Sequence, residues 1–348
     1  MTNKVEDIRI GFIGAGANTR LRHIPGFKAM DGVKLISVSN RSLESSQRIA
    51  TEHNIPVVYS NWRELVDAED TNAICIGTWP NMHCTLVLAA LENDKHVLTE
   101  ARMATDATEA HIMLEASKQN PHLVTQIVTG PMTLKIEATV QDMIAQGYLG
   151  RPLAINMRIN QNNFIDTEGP HHWRHDRDSS GYNILQMGIW YECLMRLVGP
   201  ATRVTAMTKV GVSQRLDDAG YLHPISVPDH VDIICEMACG AQANLSFSAI
   251  TGLASSGEIW LHGSEGTLKI ETSGMKLFGG RKGDQVLSEI QITAEKEGLW
   301  RVEEEFINAI RGKEKVTHTN FEDGVKYMEF TEAVTRSAQE GKSISLPL

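Results

Sequence analysis

Apolar positions in the first third of the chain fall in short runs separated by amphipathic stretches. Residues 8–13, 33–39, 57–59, 73–77, 96–98 and 123–127 form the runs. The spacing between them predicts helices from Gly16 to about Met30 and over 42–53, 62–66, 83–93 and 106–119. Ser42 stands where a helix N-cap is expected. Residues 73–77 are almost wholly apolar, as in a strand covered on both faces. This strand–helix rhythm predicts a doubly wound parallel sheet.

The pattern changes after Gly130. A helix over 134–146 is expected to stop at Gly147, with Gly150 and Pro152 beyond it. Strand-like segments then follow with few helices between them: 153–161, 202–210, 230–239, 242–250, 257–262 and 266–271. The last two are joined by Gly263-Ser264-Glu265-Gly266, which has hairpin chemistry. Successive strands without crossover helices predict an open, mostly antiparallel sheet. Further helices are expected at 182–198, 303–310 and 321–339. The chain therefore reads as an α/β domain at 1–128 followed by an α+β domain at 129–348. No Gly/Ser-rich linker separates them.

The 348 residues fit two domains at ~100–200 residues each. A formal charge of −10 argues against nucleic acid or an anionic membrane as partner, because phosphate binding needs clustered cations. Five scattered cysteines, with Cys75 and Cys235 in apolar runs, read as small buried hydrophobes in a reducing compartment. The polar start and the lack of a long apolar run predict neither signal peptide nor membrane span, and hence a cytoplasmic protein.

The most informative motif is Gly14-Ala15-Gly16, directly after the first strand and before a helix. This is the context of a dinucleotide fingerprint. The first glycine permits the turn, and the second lets a pyrophosphate approach the helix N-terminus. Thr19 replaces the third glycine, which is expected to loosen the helix–strand fit. After the second strand an acidic residue would favour NAD. The chain has Ser39-Asn40-Arg41-Ser42 instead. Arg41 and Ser42 can hold a 2′-phosphate, so NADP is the preferred cofactor and NAD a possible one.

Gly77-Thr78-Trp79-Pro80-Asn81 with His83, and then Lys95 to Glu100, resemble the glucose–fructose oxidoreductase / inositol dehydrogenase (Gfo/Idh/MocA) family. The Gln146–Pro152 stretch, the Trp173-Arg174 pair, the 263–266 hairpin, Glu304-Glu305-Phe306 and residues 324–342 extend that resemblance towards the C-terminus. It implies a Rossmann domain plus an α+β domain whose open sheet serves a dimer or tetramer. It also implies pyridine-nucleotide-dependent redox chemistry on sugars, polyols or related cyclic hydroxy compounds. The implied cofactor residues are Gly14, Gly16, Ala17, Asn18, Asn40, Arg41, Ser42, Thr78, Trp79, Pro80, Asn81, His83 and Glu100.

The chain departs from the family where the chemistry sits. Glu100-Ala101-Arg102 stands in place of Glu-Lys-Pro, so the usual lysine is Ala101. Gln186 and Trp190 occupy the positions of an Asp and a His one helical turn apart. The candidates left for acid/base work are Glu100, Tyr191, Glu192, His171, His172 and His175. Histidine is the natural choice near neutral pH, and 171–175 lie in a polar loop. Arg102, Trp173, Arg174, Gln186 and Trp190 are the candidate substrate contacts. Three clustered histidines without a completing Cys or Asp pattern do not suggest zinc. Two alternatives stay open: hydrolysis or elimination through transient oxidation by a retained nucleotide, and a non-catalytic nucleotide-binding regulator.

Overall fold

A computed structural model describes residues 7–348. Its described residues form two compact units, one of 7–129 with 301–325, the other of 130–300 with 326–348.

The first unit starts with β1 (Ile8–Ile13), a π-helical turn (Thr19–His23) and α1 (Ile24–Lys28). There follow β2 (Val33–Ser39), α2 (Leu43–His53), β3 (Val57–Val58), α3 (Trp62–Asp67) and β4 (Ala73–Ile76). Then come α4 (Pro80–Glu92), β5 (His96–Thr99), α5 (Ala107–Gln119) and β6 (Thr125–Ile127). All strand pairs are parallel, in the order β3-β2-β1-β4-β5-β6. This is the doubly wound sheet that the rhythm of the sequence predicts. Its order reverses between β1 and β4, and such sheets bind ligands outside the strand C-termini at that point. Caps set the helix starts: Ser42 Oγ accepts from the Ser45 N–H, and Asp106 Oδ1 from the Glu109 N–H.

The second unit holds α6 (Leu134–Ala145), β7 (Pro152–Asn160), α7 (Arg177–Ser180), α8 (Met187–Val198), β8 (Ala201–Lys209), β9 (Gln214–Leu216) and β10 (Leu222–Pro224). It continues with β11 (His230–Met237), β12 (Gln242–Ser248), β13 (Gly257–Gly263), β14 (Gly266–Glu271), β15 (Lys276–Arg281) and β16 (Ser288–Ile290). The chain then gives α9 (Val302–Ile310) to the first unit. It closes with α10 (Phe321–Glu340) and β17 (Ile344–Ser345). Nine strands form one sheet in the order β16-β15-β14-β13-β7-β12-β11-β8-β17.

This sheet is mostly antiparallel, as the sequence predicts, with β7 and β12 pairing in parallel within it. The long stretch between them supplies the crossover that a parallel pair requires. The first compact unit also takes in residues 301–325. Phe306 of α9 packs edge-on against Phe27 at 6.3 Å, and Glu305 Oε2 accepts from Gln126 Nε2 at 2.9 Å.

Strand β11 alternates cleanly, with Val231, Ile233, Cys235 and Met237 buried. On that face Tyr191 of α8 stacks on Phe330 of α10, and the Ala206 N–H donates to Ser337 Oγ. All five cysteines are unpaired thiols and four of them are buried. Among the described residues no helix is long and apolar enough to cross a membrane.

Candidate functional site

The turn after β1 is built to approach a ligand. Gly14 has φ +79°, and an added Cβ there would come within 2.6 Å of Thr78 Cγ2. Gly16 and Ala17 are exposed. A Cβ on Gly16 would meet nothing closer than Gly77 O at 3.6 Å, so the space over the turn is open. Residues 17–18 begin the helix, whose first N–H groups have no intrahelical partner. The Thr78 hydroxyl oxygen is buried with no protein partner. These features fit a dinucleotide whose pyrophosphate lies on the helix N-terminus.

Thr19 does not loosen the fit as expected. It is 1 % exposed, and an added Cβ on Gly77 would overlap both its Oγ1 and Gly14 O. The close approach usually given by a third fingerprint glycine comes here from Gly77 on the opposing loop. Gly77→Ala is therefore expected to lower the melting temperature, at a cost of roughly 1–3 kcal/mol, and to weaken nucleotide binding. Adding Thr19→Gly should not rescue it, because the Gly14 carbonyl still blocks the Cβ. Calorimetry and nucleotide titration of the single and double variants check this.

Asn40 is spent on the turn, where its Oδ1 accepts from the Ala15 N–H at 2.7 Å. Ser42 caps α2. Arg41 is exposed, with its guanidinium 5.7 Å from the exposed Trp79 ring. Pro80 opens α4, and Asn81 beside it is exposed. His83 is fully buried and serves as a clasp. Its Nε2 lies 3.1 Å from Thr78 O, and its Nδ1 lies 3.0 and 3.2 Å from Arg102 O and Met103 O. Burial lowers its pKa more than the facing carbonyls raise it. It ties the Thr78 loop to the Glu100-Ala101-Arg102 segment, and its buried ring is not set to touch a nucleotide directly. Arg102 is itself only 6 % exposed.

Glu100 follows β5 and does not stand alone. Its Oε1 accepts from Asn18 Nδ2 at 2.5 Å and from His23 Nε2 at 3.0 Å. His23 Nδ1 lies 2.5 Å from Glu303 Oε1. Burial pulls the His23 pKa down, but the two carboxylates outweigh it and set the value at about 9. Burial pushes Glu100 up, but His23 and Asn18 hold it below the usual carboxylate range. At neutral pH the group is an imidazolium between two carboxylates.

In the second unit the candidates separate into two sets. Tyr191 is fully buried, stacked on Phe330, and its hydroxyl accepts from the Ala201 N–H at 2.8 Å. Burial raises its pKa well above the usual phenol range. Glu192 is 3 % exposed, pairs with Arg196, and accepts from the Gly130 N–H at 3.0 Å. Arg196 also pairs with Glu137 at 2.9 Å. Tyr191 and Glu192 are thus enclosed in the core of this unit, without solvent access. Trp190 is 6 % exposed and its Nε1 is buried without a protein partner, whereas Gln186 is exposed one turn earlier.

The histidine loop stays accessible. His171 and His175 are half-buried and His172 is exposed. His172 Nδ1 accepts from the Arg174 N–H at 3.2 Å, and His175 Nδ1 accepts from the His172 N–H at 3.1 Å. Those bonds place the neutral-form proton of each on Nε2 and occupy the lone pair a base would use. Burial, then Arg174 and His171, lower the pKa of His172. Burial, then Arg215 and the other two histidines, lower that of His175, against Asp229. His171 anchors by its backbone, donating to Leu216 O at 2.7 Å, and its ring stacks on His223 at 4.4 Å. His223 is in turn bonded to Asp217 at 2.9 Å. Arg174 lies 4.3 Å over the Trp173 ring. No group of His, Cys, Asp or Glu among the described residues is arranged to hold a metal ion.

Residues 8–127 match a family described as an oxidoreductase family with an NAD-binding Rossmann fold. Residues 138–269 match the GFO/IDH/MocA C-terminal domain. The chain belongs to the Gfo/Idh/MocA oxidoreductase family. It is 24 % identical over 280 residues to levoglucosan dehydrogenase of Pseudarthrobacter phenanthrenivorans, covering 74 % of this chain and 70 % of that one. It is 28 % identical over 158 residues to inositol 2-dehydrogenase/D-chiro-inositol 3-dehydrogenase of Shouchella clausii, covering 43 % and 45 %. A structure of levoglucosan dehydrogenase with NADH and levoglucosan superimposes with a TM-score of 0.86 at 21 % identity, covering 98 % and 100 %. As a member of this family the chain is a nicotinamide-dependent oxidoreductase.

Within this Gfo/Idh/MocA chain, reasoning from sequence missed His23 and Glu303. His23 had a signal, a histidine on the fingerprint helix itself, but its partners lie 77 and 280 residues away.

Proposed function

We propose that the chain is an NADP(H)-preferring oxidoreductase of a sugar, polyol or related cyclic hydroxy compound, in which the 171–175 loop supplies the acid/base group. The observation that carries the nucleotide part is the open, Cβ-free space over Gly16 at the sheet's reversal point. A bound nicotinamide nucleotide supplies the acceptor or donor of the hydride. Gly14 and Gly16 admit the pyrophosphate. Arg41 and Trp79 are set to hold the adenosine end. The carbohydrate substrate class is supported by the relatives, which act on levoglucosan and inositols by their names.

The missing lysine and histidine are met by relocation. His171 has a ring free of the capping bonds that occupy its neighbours. It takes the proton of a substrate hydroxyl in oxidation or returns it to a carbonyl in reduction. Trp173, Arg174 and Gln186 bind the substrate, and the buried Trp190 stands where the family resemblance leads one to expect a histidine. Glu100, held ionised, acts as a hydrogen-bond acceptor and not as the base.

A homo-oligomer in the cytoplasm completes this reading. Met207 and Ile234 support the homo-oligomer, since both stand exposed on the outward face of β8 and β11.

Cofactor choice is tested by direct titration. NADPH should bind more tightly than NADH. Arg41→Ala should weaken NADPH by roughly 1–3 kcal/mol, the scale of a charge-assisted contact, while leaving NADH nearly unchanged. Equal affinities in the unmodified chain would rule the NADP preference out.

A further inference from the structure

Three features of the first unit converge on one residue. The π-helical turn Thr19–His23 shifts the helix register so that His23 points inward, fully buried, between Glu100 and Glu303. Such insertions recur at functional sites because they re-aim a side chain at little cost to the helix. Gly26 makes room for the second carboxylate: an added Cβ there would come within 2.9 Å of Glu303 Cγ and 3.1 Å of its Oε2. Asn18, one residue before the π-turn, donates to the same Glu100 oxygen that His23 holds. Asn18 also sits within 3.3 Å of His23 Nε2, but both atoms are donors when the imidazole is protonated, so the amide hydrogen goes to Glu100.

We propose that His23 is a positioning residue of the nucleotide site: as an imidazolium clamped by Glu303 it fixes the Glu100 carboxylate and, through Asn18, the first turn of the dinucleotide helix. The proposal deepens the nucleotide reading above and rests on it.

The physical argument is one of charge balance. An unpaired carboxylate at the end of β5, beside the first turn of the dinucleotide helix, would repel an anionic cofactor and swing freely. A buried cation bonded to it neutralises that charge and removes the freedom. Glu303 keeps the cation protonated by adding a second negative group on the far side. Two neighbouring titratable groups, Cys75 and His83, do not compete for the charge. Burial, then Glu100 and Glu303, push the Cys75 thiol well above its usual range, and burial lowers His83, so neither carries charge at neutral pH.

The clamp has a pH signature. The folded-state pKa of His23 is raised, so the interaction is intact below pH 6.5 and is lost as pH rises through about 9. The test has two arms. In the first, the unliganded protein is labelled at histidine Cε1 and titrated by NMR, with His23→Gln assigning the resonance. His23 should keep imidazolium shifts through neutral pH and titrate near 9. Glu303→Gln should move the midpoint down by about 1 unit or more. In the second, NADPH binding is followed against pH. The unmodified chain should lose about tenfold in affinity across the His23 titration. His23→Gln should bind about tenfold more weakly at neutral pH and show no such limb.

Asn18→Ala cuts the link without leaving a buried charge unpaired, and it should weaken NADPH several-fold while His23 still titrates near its unmodified value. A neutral His23 at pH 7, or an unchanged pH profile in folded His23→Gln, would overturn the proposal. So would unaltered NADPH affinity in Asn18→Ala. If the unmodified chain binds no nucleotide, the cofactor reading fails, and the NMR arm alone decides whether the clamp exists.

Discussion

Gly16→Val should give a folded protein that binds neither NADPH nor NADH. The two halves of that expectation come from different facts. The fold survives because an added Cβ at Gly16 meets only Gly77 O at 3.6 Å and Gly14 O at 3.9 Å, both ordinary contacts. Its φ is not in the left-handed region, so valine meets no backbone penalty of that kind. Binding is lost because the branched side chain would stand over the turn, in the space through which a pyrophosphate must reach the helix N–H groups. The loss should exceed about 10²-fold, or about 3 kcal/mol, since both the backbone contacts and the helix-terminus field are forfeited. Gly14 is a poorer test, because its φ of +79° and its contact with Thr78 make any substitution a folding defect as well. Circular dichroism establishes the fold, and fluorescence titration with both nucleotides measures the binding. Affinity within a few-fold of the unmodified chain would remove Gly16 from the site.

What the sequence discloses and what it hides divide along physical lines. Buried parallel strands need near-continuous apolar runs, so β1, β2, β4 and β5 can be read directly. The fingerprint turn can be read because only glycine suits its first position. Strands β9, β10, β16 and β17 are two or three residues long, too short to show any period. The Thr19–Gly77 exchange and the His23 clamp join residues far apart in the chain, and no local pattern encodes such pairs. The burial of Tyr191 and Glu192 is hidden for another reason. Helix α8 buries residues on nearly every face, so neighbours of Trp190 in the sequence are core groups. The spacing of Glu192 and Arg196, four residues apart, is the feature that points to an internal ion pair.

That distinction separates the acid/base candidates by the kind of damage each should cause. His171→Asn is expected to lower kcat by about 10²-fold with nucleotide affinity intact, the usual contribution of a positioned proton-transfer group. His172→Asn and His175→Asn should each cost less than about tenfold, because their Nδ1 atoms already accept backbone N–H groups and asparagine can replace that acceptor. Tyr191→Phe should leave kcat unchanged and reduce stability by about 1–3 kcal/mol, since the Ala201 N–H loses its buried acceptor. Glu192→Gln should reduce stability by about 3–5 kcal/mol, because a buried partner of Arg196 loses its charge. The assay follows nucleotide absorbance on a substrate found by screening sugars, polyols and their oxidised forms, alongside thermal unfolding of each variant. Full turnover in His171→Asn would end its role as the relocated acid/base group. A kcat loss in Tyr191→Phe without loss of stability would reverse its assignment to the core. If no substrate changes the redox state of a bound nucleotide, the fold is being used for binding alone, and the absence of lysine at Ala101 and of histidine at Trp190 is then loss and not relocation.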